Sequence, residues 1–154
     1  MLKIIPLAVN GNYVLCGGRG EILDVEATAD GPELIHDEGT GFIAHSNHYV
    51  CSKYATEENH AKCTKDSFTR LDRMNALIRE KFGSITTDDV KGFLSDHDRH
   101  PTSICRHPRT DDASKGFETA GMTAASIVAE PAQRRMHVSL GNPCESEFVT
   151  YAMD

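Results

Sequence analysis

The chain has 154 residues, 39% of them hydrophobic and 25% charged, a balance that fits one ordinary globular core and excludes a fully disordered chain. Basic residues number 16 and acidic residues 23, a formal charge of −7, and no lysine or arginine run is long enough to follow a phosphate backbone, which argues against a nucleic-acid partner. No apolar segment approaches the roughly 18 residues of a membrane span, and MLKIIPLAVNGNYVL lacks the uninterrupted apolar stretch and small-residue cleavage site of a secretory leader.

In chain order, NYVLCGGRGEILDVEA predicts a β-hairpin, because two stretches rich in branched residues flank Gly17, Gly18 and Gly20, which accept the positive φ of a tight turn. TADGPELIHDEGTG reads as a polar, turn-rich break apart from the short ELI. FIAHSNHYV then reads as a further strand, and SKYATEENHAKCT as a loop. From Asp66 to Phe82 apolar residues recur at three to four residue spacing, with Phe68, Leu71, Met74, Leu77, Ile78 and Phe82 on one stripe and Gly83 as the stop. That pattern predicts an amphipathic helix. A short second helix is predicted in TTDDVKGFLSDH, where Thr86 and Asp89 are spaced as a capping box and Val90, Phe93 and Leu94 share a side.

DRHPTSICRHPRTDDASKGFETAGM reads mostly as loop. Three strand-like runs follow, MTAASIVAE, RRMHVSL and EFVTYAM, divided by Pro131 and by GNP, where Gly141 and Asn142 suit a hairpin turn. Strands at both ends with helices segregated between them predict an α+β or layered fold with mainly antiparallel sheets, in a single domain over residues 1–154. The cysteines, Cys16, Cys51, Cys63, Cys105 and Cys144, are odd in number with no CxxC pair, which reads as free thiols in a reducing, cytoplasmic setting, one disulfide remaining open.

His45 and His48 are three apart, so an extended backbone would send them to opposite sides. His97, His100 and His107 lie in a second polar segment without an HExxH frame, and the cysteines lack zinc-finger spacing. Surface or hydrogen-bonded histidines are therefore expected, with no metal site and no cofactor. Asn47, at the end of a predicted strand, is of a type that donates to a developing oxyanion without carrying charge; capping a turn is its alternative role. Cys105, Arg106 and His107 place a thiol near an imidazole, but adjacent residues diverge in an extended loop and no acid is placed to orient the ring. Cys16 and Cys144 sit in or beside strand runs, where buried, inert thiols are expected. GGRG around Arg19 lacks the full phosphate-loop pattern and the helix that should follow, and the ASI at 125–127 lacks the flanking glycines of a hydrolase elbow.

Four fragments coincide in order: GEILDVE at 20–26, GFIAHSNHYV at 41–50, SDHDRHPTSICRHP at 95–108 and TAASIVAEPAQRRMHVSLGNPCESEFVTYAM at 123–153. Together they resemble the C-terminal part of the acyl-coenzyme A:6-aminopenicillanic acid acyltransferase family of N-terminal nucleophile hydrolases. The resemblance implies part of an αββα sandwich, autocatalytic cleavage before a cysteine, and attack by that new N-terminal cysteine on an amide or thioester. It places the nucleophile ahead of the matched region, with Met1 already past it. The expectation is a chain that supplies oxyanion-hole and pocket residues, with the thiolate on an N-terminal piece that is either a separate chain or lost from this sequence, and a small-molecule amide or thioester as substrate. By the same resemblance, Asn47 in HSNH matches the oxyanion-hole asparagine and Ser126 in TAASI a serine near the processing and catalytic region. Arg106 in SICRH and His48 are carried over to the substrate pocket, and Glu26 belongs to the pattern. A truncated, non-enzymatic homologue that binds a small molecule or protein is the alternative. A sheet deprived of neighbouring strands favours a homo-oligomer in either case.

Overall fold

The glycine-flanked hairpin forms as the sequence predicts: in a computed structural model of the chain, β1 (Gly11–Cys16) pairs antiparallel with β2 (Ile22–Thr28) across a turn in which Gly20 takes φ +89°. The structure describes residues 11–63, 66–108 and 121–152. The chain divides into two units, Met1–Phe68 and Thr69–Asp154.

In the first unit the polar break after β2 holds a third strand, β3 (Gly31–Ile35), so this sheet has the order β1-β2-β3. Ala29 and Asp30 make the return between the paired Thr28 and Gly31: Gly31 has φ +116°, and Thr28 Oγ1 accepts from Asp30 N–H and donates to the Gly31 carbonyl. FIAHSNHYV forms no strand. Its backbone donors turn to buried side chains instead: Asn47 N–H donates to Ser67 Oγ at 2.8 Å and Val50 N–H to a Glu26 carboxylate oxygen at 2.5 Å, so no ladder is needed to satisfy them. The expected loop after it contains a short helix, α1 (Glu57–Ala61), capped by Thr56, whose side chain accepts from Asn59 N–H.

The long helix α2 (Asp66–Glu80) follows the predicted period, and Gly83 takes φ +80° just beyond it. Its buried residue, however, is Ser67, while Phe68 and Phe82 are exposed. In the second unit, α3 (Thr87–Leu94) starts with the predicted capping box, both arms of Thr86 and Asp89 being made, and buries Phe93. The three C-terminal strand runs form β4 (Ala125–Glu130), β5 (Arg135–Leu140) and β6 (Val149–Ala152), an antiparallel sheet of order β4-β5-β6. A single 3₁₀ turn at Pro131–Gln133 makes the first corner, and Gly141, with φ +82°, begins the second connection. Residues 109–120 of the predicted loop lie outside the described residues.

In both sheets polar side chains are buried on one face while large apolar ones are exposed on the other. In the first, Asp24, Glu26 and Thr28 of β2 are buried, whereas Tyr13, Leu15 and Leu34 face solvent. In the second, Ser126, His137 and Ser139 are buried, whereas Ile127, Leu140, Val149 and Tyr151 are exposed, Leu140 at 75%. Period-2 alternation puts each group on a single face. The architecture is therefore α+β with two antiparallel sheets, each with exposed apolar side chains on one face.

Candidate functional site

On β2, the alternation that sends Asp24 and Glu26 to the same face brings two carboxylates into the interior of the first unit, at 0% and 1% exposure. Asn12 on the neighbouring β1 donates its side-chain N–H to Asp24 Oδ1. The non-strand segment 42–50 then folds over these acids. His45 sets Nε2 2.9 Å from Glu26 Oε1 and 3.8 Å from Asp24 Oδ2, and Nδ1 2.6 Å from the Ser46 carbonyl. Glu26 also accepts from the backbone N–H groups of Val50 and Cys51.

These contacts act on the two acids in opposite directions. Burial pushes Glu26 up, but hydrogen bonds from Cys51, His45 and the Val50 backbone outweigh it and hold the carboxyl below its ordinary range. Burial wins at Asp24, whose carboxyl is raised despite His45 and Asn12; its Oδ2 is buried and accepts no hydrogen bond from the described residues. Burial and the Glu26 carboxylate push the Cys51 thiol up as well, which disfavours the thiolate there.

Asn47 and His48 follow on the same segment. Asn47 is held through its backbone: its N–H donates to the fully buried Ser67 hydroxyl, and its carbonyl lies 3.5 Å from Cys63 Sγ. His48 is buried, exchanges a hydrogen bond with Ser67 Oγ at 2.8 Å, and stacks on Phe68 with ring centroids 3.9 Å apart. A cavity of about 410 Å³ opens beside them, lined by Asn12, Glu26, His45, Asn47, His48, Asn59, Lys62 and Cys63 among others. Its volume is that of an ordinary small-molecule site. The Cys63 thiol lies within bonding distance of two carbonyls, Asn47 and Asn59, and the described residues give it no base.

Of the residues singled out in the sequence, Asn47 and His48 thus share a cavity, with Glu26 in its wall. Ser126 and Arg106 belong to the other unit. Ser126 is buried on β4 opposite Ser139 of β5. Arg106 is fixed through its main chain, its N–H donating to Thr123 Oγ1 and its carbonyl accepting from Asn142 Nδ2 at 2.9 Å.

The thiols depart from expectation. All five cysteines are free, but Cys16 and Cys144 are exposed rather than buried, because Cys16 ends a strand at the turn and Cys144 lies on the loop after β5. The acid–histidine pairing and the Ser67 anchor also escaped the sequence reading. The only hint of the former was the alternation of Asp24 and Glu26, and of the latter a serine inside an otherwise apolar helix stripe. His45 and His48 are hydrogen-bonded, as expected of them, the first to Glu26 and the Ser46 carbonyl and the second to Ser67. Among the described residues, one group offers side-chain atoms close enough to share a metal ion: His97, Cys105, His107 and Cys144.

The fold and cavity define an α+β protein with a polar cavity walled by a carboxylate–histidine pair whose side chains are buried. The family model for acyl-coenzyme A:6-aminopenicillanic acid acyl-transferase matches residues 1–145, and the chain belongs to that family. No curated protein matches the sequence. Among the described residues no helix is long and apolar enough to cross a membrane.

Proposed function

We propose that this chain takes part in cysteine-dependent acyl transfer, its first-unit cavity holding an amide or thioester and Asn47 donating to the oxyanion formed when a thiolate attacks. The observation that carries the reading is the anchoring of the Asn47 main chain at the cavity wall, its N–H donating to Ser67 and its carbonyl accepting from Cys63, which sets where its side-chain amide starts. A donor held in place beforehand stabilises developing charge most, because nothing need reorganise as the reaction proceeds. Family membership supports acyl transfer as the reaction class. The attacking thiolate is assigned to the cysteine that the resemblance places ahead of these motifs. The intact masses of the chains in the assembly isolated from its own organism would show which polypeptide carries it.

The exposed apolar faces of both sheets support a layered αββα arrangement whose covering layers come from further chain or a second copy. The same faces would serve a non-enzymatic homologue that self-associates around a small molecule. The two readings part at Asn47. In the isolated assembly, coenzyme A release from a panel of acyl thioesters and amine release from a panel of amides would be measured with and without Asn47→Ala. An enzyme should lose about 10²–10³ in kcat, the usual effect of removing one oxyanion donor. Its thermal midpoint should not move. Turnover that the substitution leaves unchanged would remove Asn47 from the mechanism, and no turnover at all would favour the binding homologue.

A further inference from the structure

We propose that His97, Cys105, His107 and Cys144 form a structural zinc site in the second unit. Their ligand atoms all lie within 4.8 Å of one another. The two sulfurs are 3.6 Å apart, the Nε2 atoms of His97 and His107 are 3.0 Å apart, and His107 Nε2 is 3.2 Å from Cys144 Sγ and 4.0 Å from Cys105 Sγ. A tetrahedral ion with Zn–S of about 2.3 Å and Zn–N of about 2.05 Å has edges of about 3.8 Å between sulfurs, about 3.3 Å between nitrogens and about 3.6 Å between unlike atoms. The observed spacings fall around these edges, so only small side-chain shifts would complete the shell.

The donor set selects the ion. Two thiolates with two neutral imidazoles are a borderline-soft set, suited to zinc and poorly suited to magnesium or calcium, which prefer oxygen. Two thiolates also neutralise the dication, which suits a site where Cys105 is 0% exposed. Binding is a proton exchange without redox change: Zn²⁺ enters, two thiol protons leave to solvent, and two Zn–S and two Zn–N bonds form.

Two polar groups stand where an outer shell around the ligands would be. His107 turns its other nitrogen, Nδ1, toward Glu145 Oε1 at 3.6 Å, and Asn142 Nδ2 points at Cys105 Sγ at 3.8 Å. The Cys105 N–H donates to the Asp96 carbonyl, beside His97, and Arg73 pairs with the Asp96 carboxylate at 2.6 Å, which steadies the loop. A disulfide would account for the two sulfurs, but bonded sulfurs lie about 2.05 Å apart. It would also leave unexplained why two imidazoles converge on the same point.

Four protein ligands close the shell, which makes the site structural. It ties the 97–107 loop to the connection after β5 and brackets Arg106 between two of its ligands. Cys105 and His107 are two apart, so an extended backbone returns them to the same side. The divergence expected of this segment applies to adjacent residues and not to this pair.

The test uses the full chain, purified reduced and without chelator, with metal content measured by plasma mass spectrometry. It is then loaded with Co²⁺ alone, whose visible bands and thiolate charge-transfer absorption report tetrahedral sulfur ligation. One zinc per chain and a cobalt spectrum of that kind are expected. Cys144→Ser and His97→Gln, both at exposed positions, should weaken metal binding by about 100-fold or more, while His100→Gln, an exposed histidine outside the cluster, leaves it unchanged. No uptake by the reduced wild-type chain at micromolar Zn²⁺ or Co²⁺ would overturn the proposal, as would binding that survives both ligand substitutions.

Discussion

Glu26 and His45, their side chains nearly sealed from solvent, face each other at 2.9 Å, and the same carboxylate accepts the Val50 and Cys51 N–H groups. One side chain on β2 thus organises the segment that carries Asn47. Glu26→Ala should leave those backbone donors without partners, at about 1–3 kcal/mol each. The expected outcome is a large fall in thermal midpoint and lost hydrogen-exchange protection at Val50 and Cys51. Because the carboxyl is held below its ordinary value of 4.5, its contribution is fully present above that pH and is lost as pH falls through the depressed value. Denaturant unfolding of wild type and variant at pH 3 to 7 would show the difference shrinking toward the acid end.

Asp24 should behave in the opposite sense. Its carboxyl is raised above 3.8 by burial, so between 3.8 and the raised value the folded chain binds more protons than the unfolded one, and stability declines as pH rises through that window. Asp24→Asn keeps an acceptor for Asn12 and removes the buried charge. The variant is expected to be at least as stable as wild type at pH 7 and to lose this part of the pH slope. A marked loss of stability at pH 7 would show that the carboxylate is needed in its charged form.

Ser67 is the second anchor of the 42–50 segment, accepting from Asn47 N–H and bonded to His48 Nδ1 and Ser46 Oγ. Ser67→Ala should cost about 1–3 kcal/mol by orphaning a buried donor. It should also raise amide exchange at Asn47 specifically. If Asn47 is the oxyanion donor, kcat should fall along with the exchange protection while α2 helicity is retained. Retained protection at Asn47 would mean that the segment is held by Glu26 alone.

The sequence was legible where local rules decide structure. The glycine-flanked hairpin, the α2 period with Gly83, and the Thr86–Asp89 box were all readable, because turn chemistry and capping act over a few residues. The 42–50 segment was not. Its strand-like composition is real, but its backbone donors go to Glu26 and Ser67, residues far away in the chain. β3 was hidden in a polar stretch because its side chains alternate around a proline and a glutamate. Asn47 was readable as a candidate only through its residue type and the family motif; its cavity and anchors required the fold. The Cys–His cluster was invisible for a similar reason, since its ligands come from positions 97, 105, 107 and 144 and no spacing rule connects them.

The capping box offers a calibration within the second unit. The Thr86 side chain accepts from Asp89 N–H, and Lys81 with the Thr86 backbone N–H holds the Asp89 carboxyl down at about 2. Thr86→Ala should cost about 1 kcal/mol. The part of the effect that depends on the Asp89 charge should persist at pH 5 and fade as pH falls from 3.8 toward 2. Thermal melts across that range would check the sign.

The uncovered sheet faces make the last prediction. Leu140 and Tyr151 lie on the apolar side of β5 and β6, exposed at 75% and 51%, with Ile127 and Val149 beside them. Exposed apolar patches are, as a class, where soluble proteins make contacts, and the proposed layered arrangement or self-association would cover this one. If it is covered in solution, Leu140→Ser with Tyr151→Ser should weaken association. Large apolar side chains buried at a contact contribute about 1.5–3 kcal/mol each, so the dissociation constant should rise at least tenfold. The fold of each protomer should hardly change, because exposed positions away from caps and cores rarely matter by more than about 0.5 kcal/mol. Light scattering across a dilution series, read beside thermal melts, separates the two effects. An unchanged mass distribution in the double variant would show that this face stays open to water.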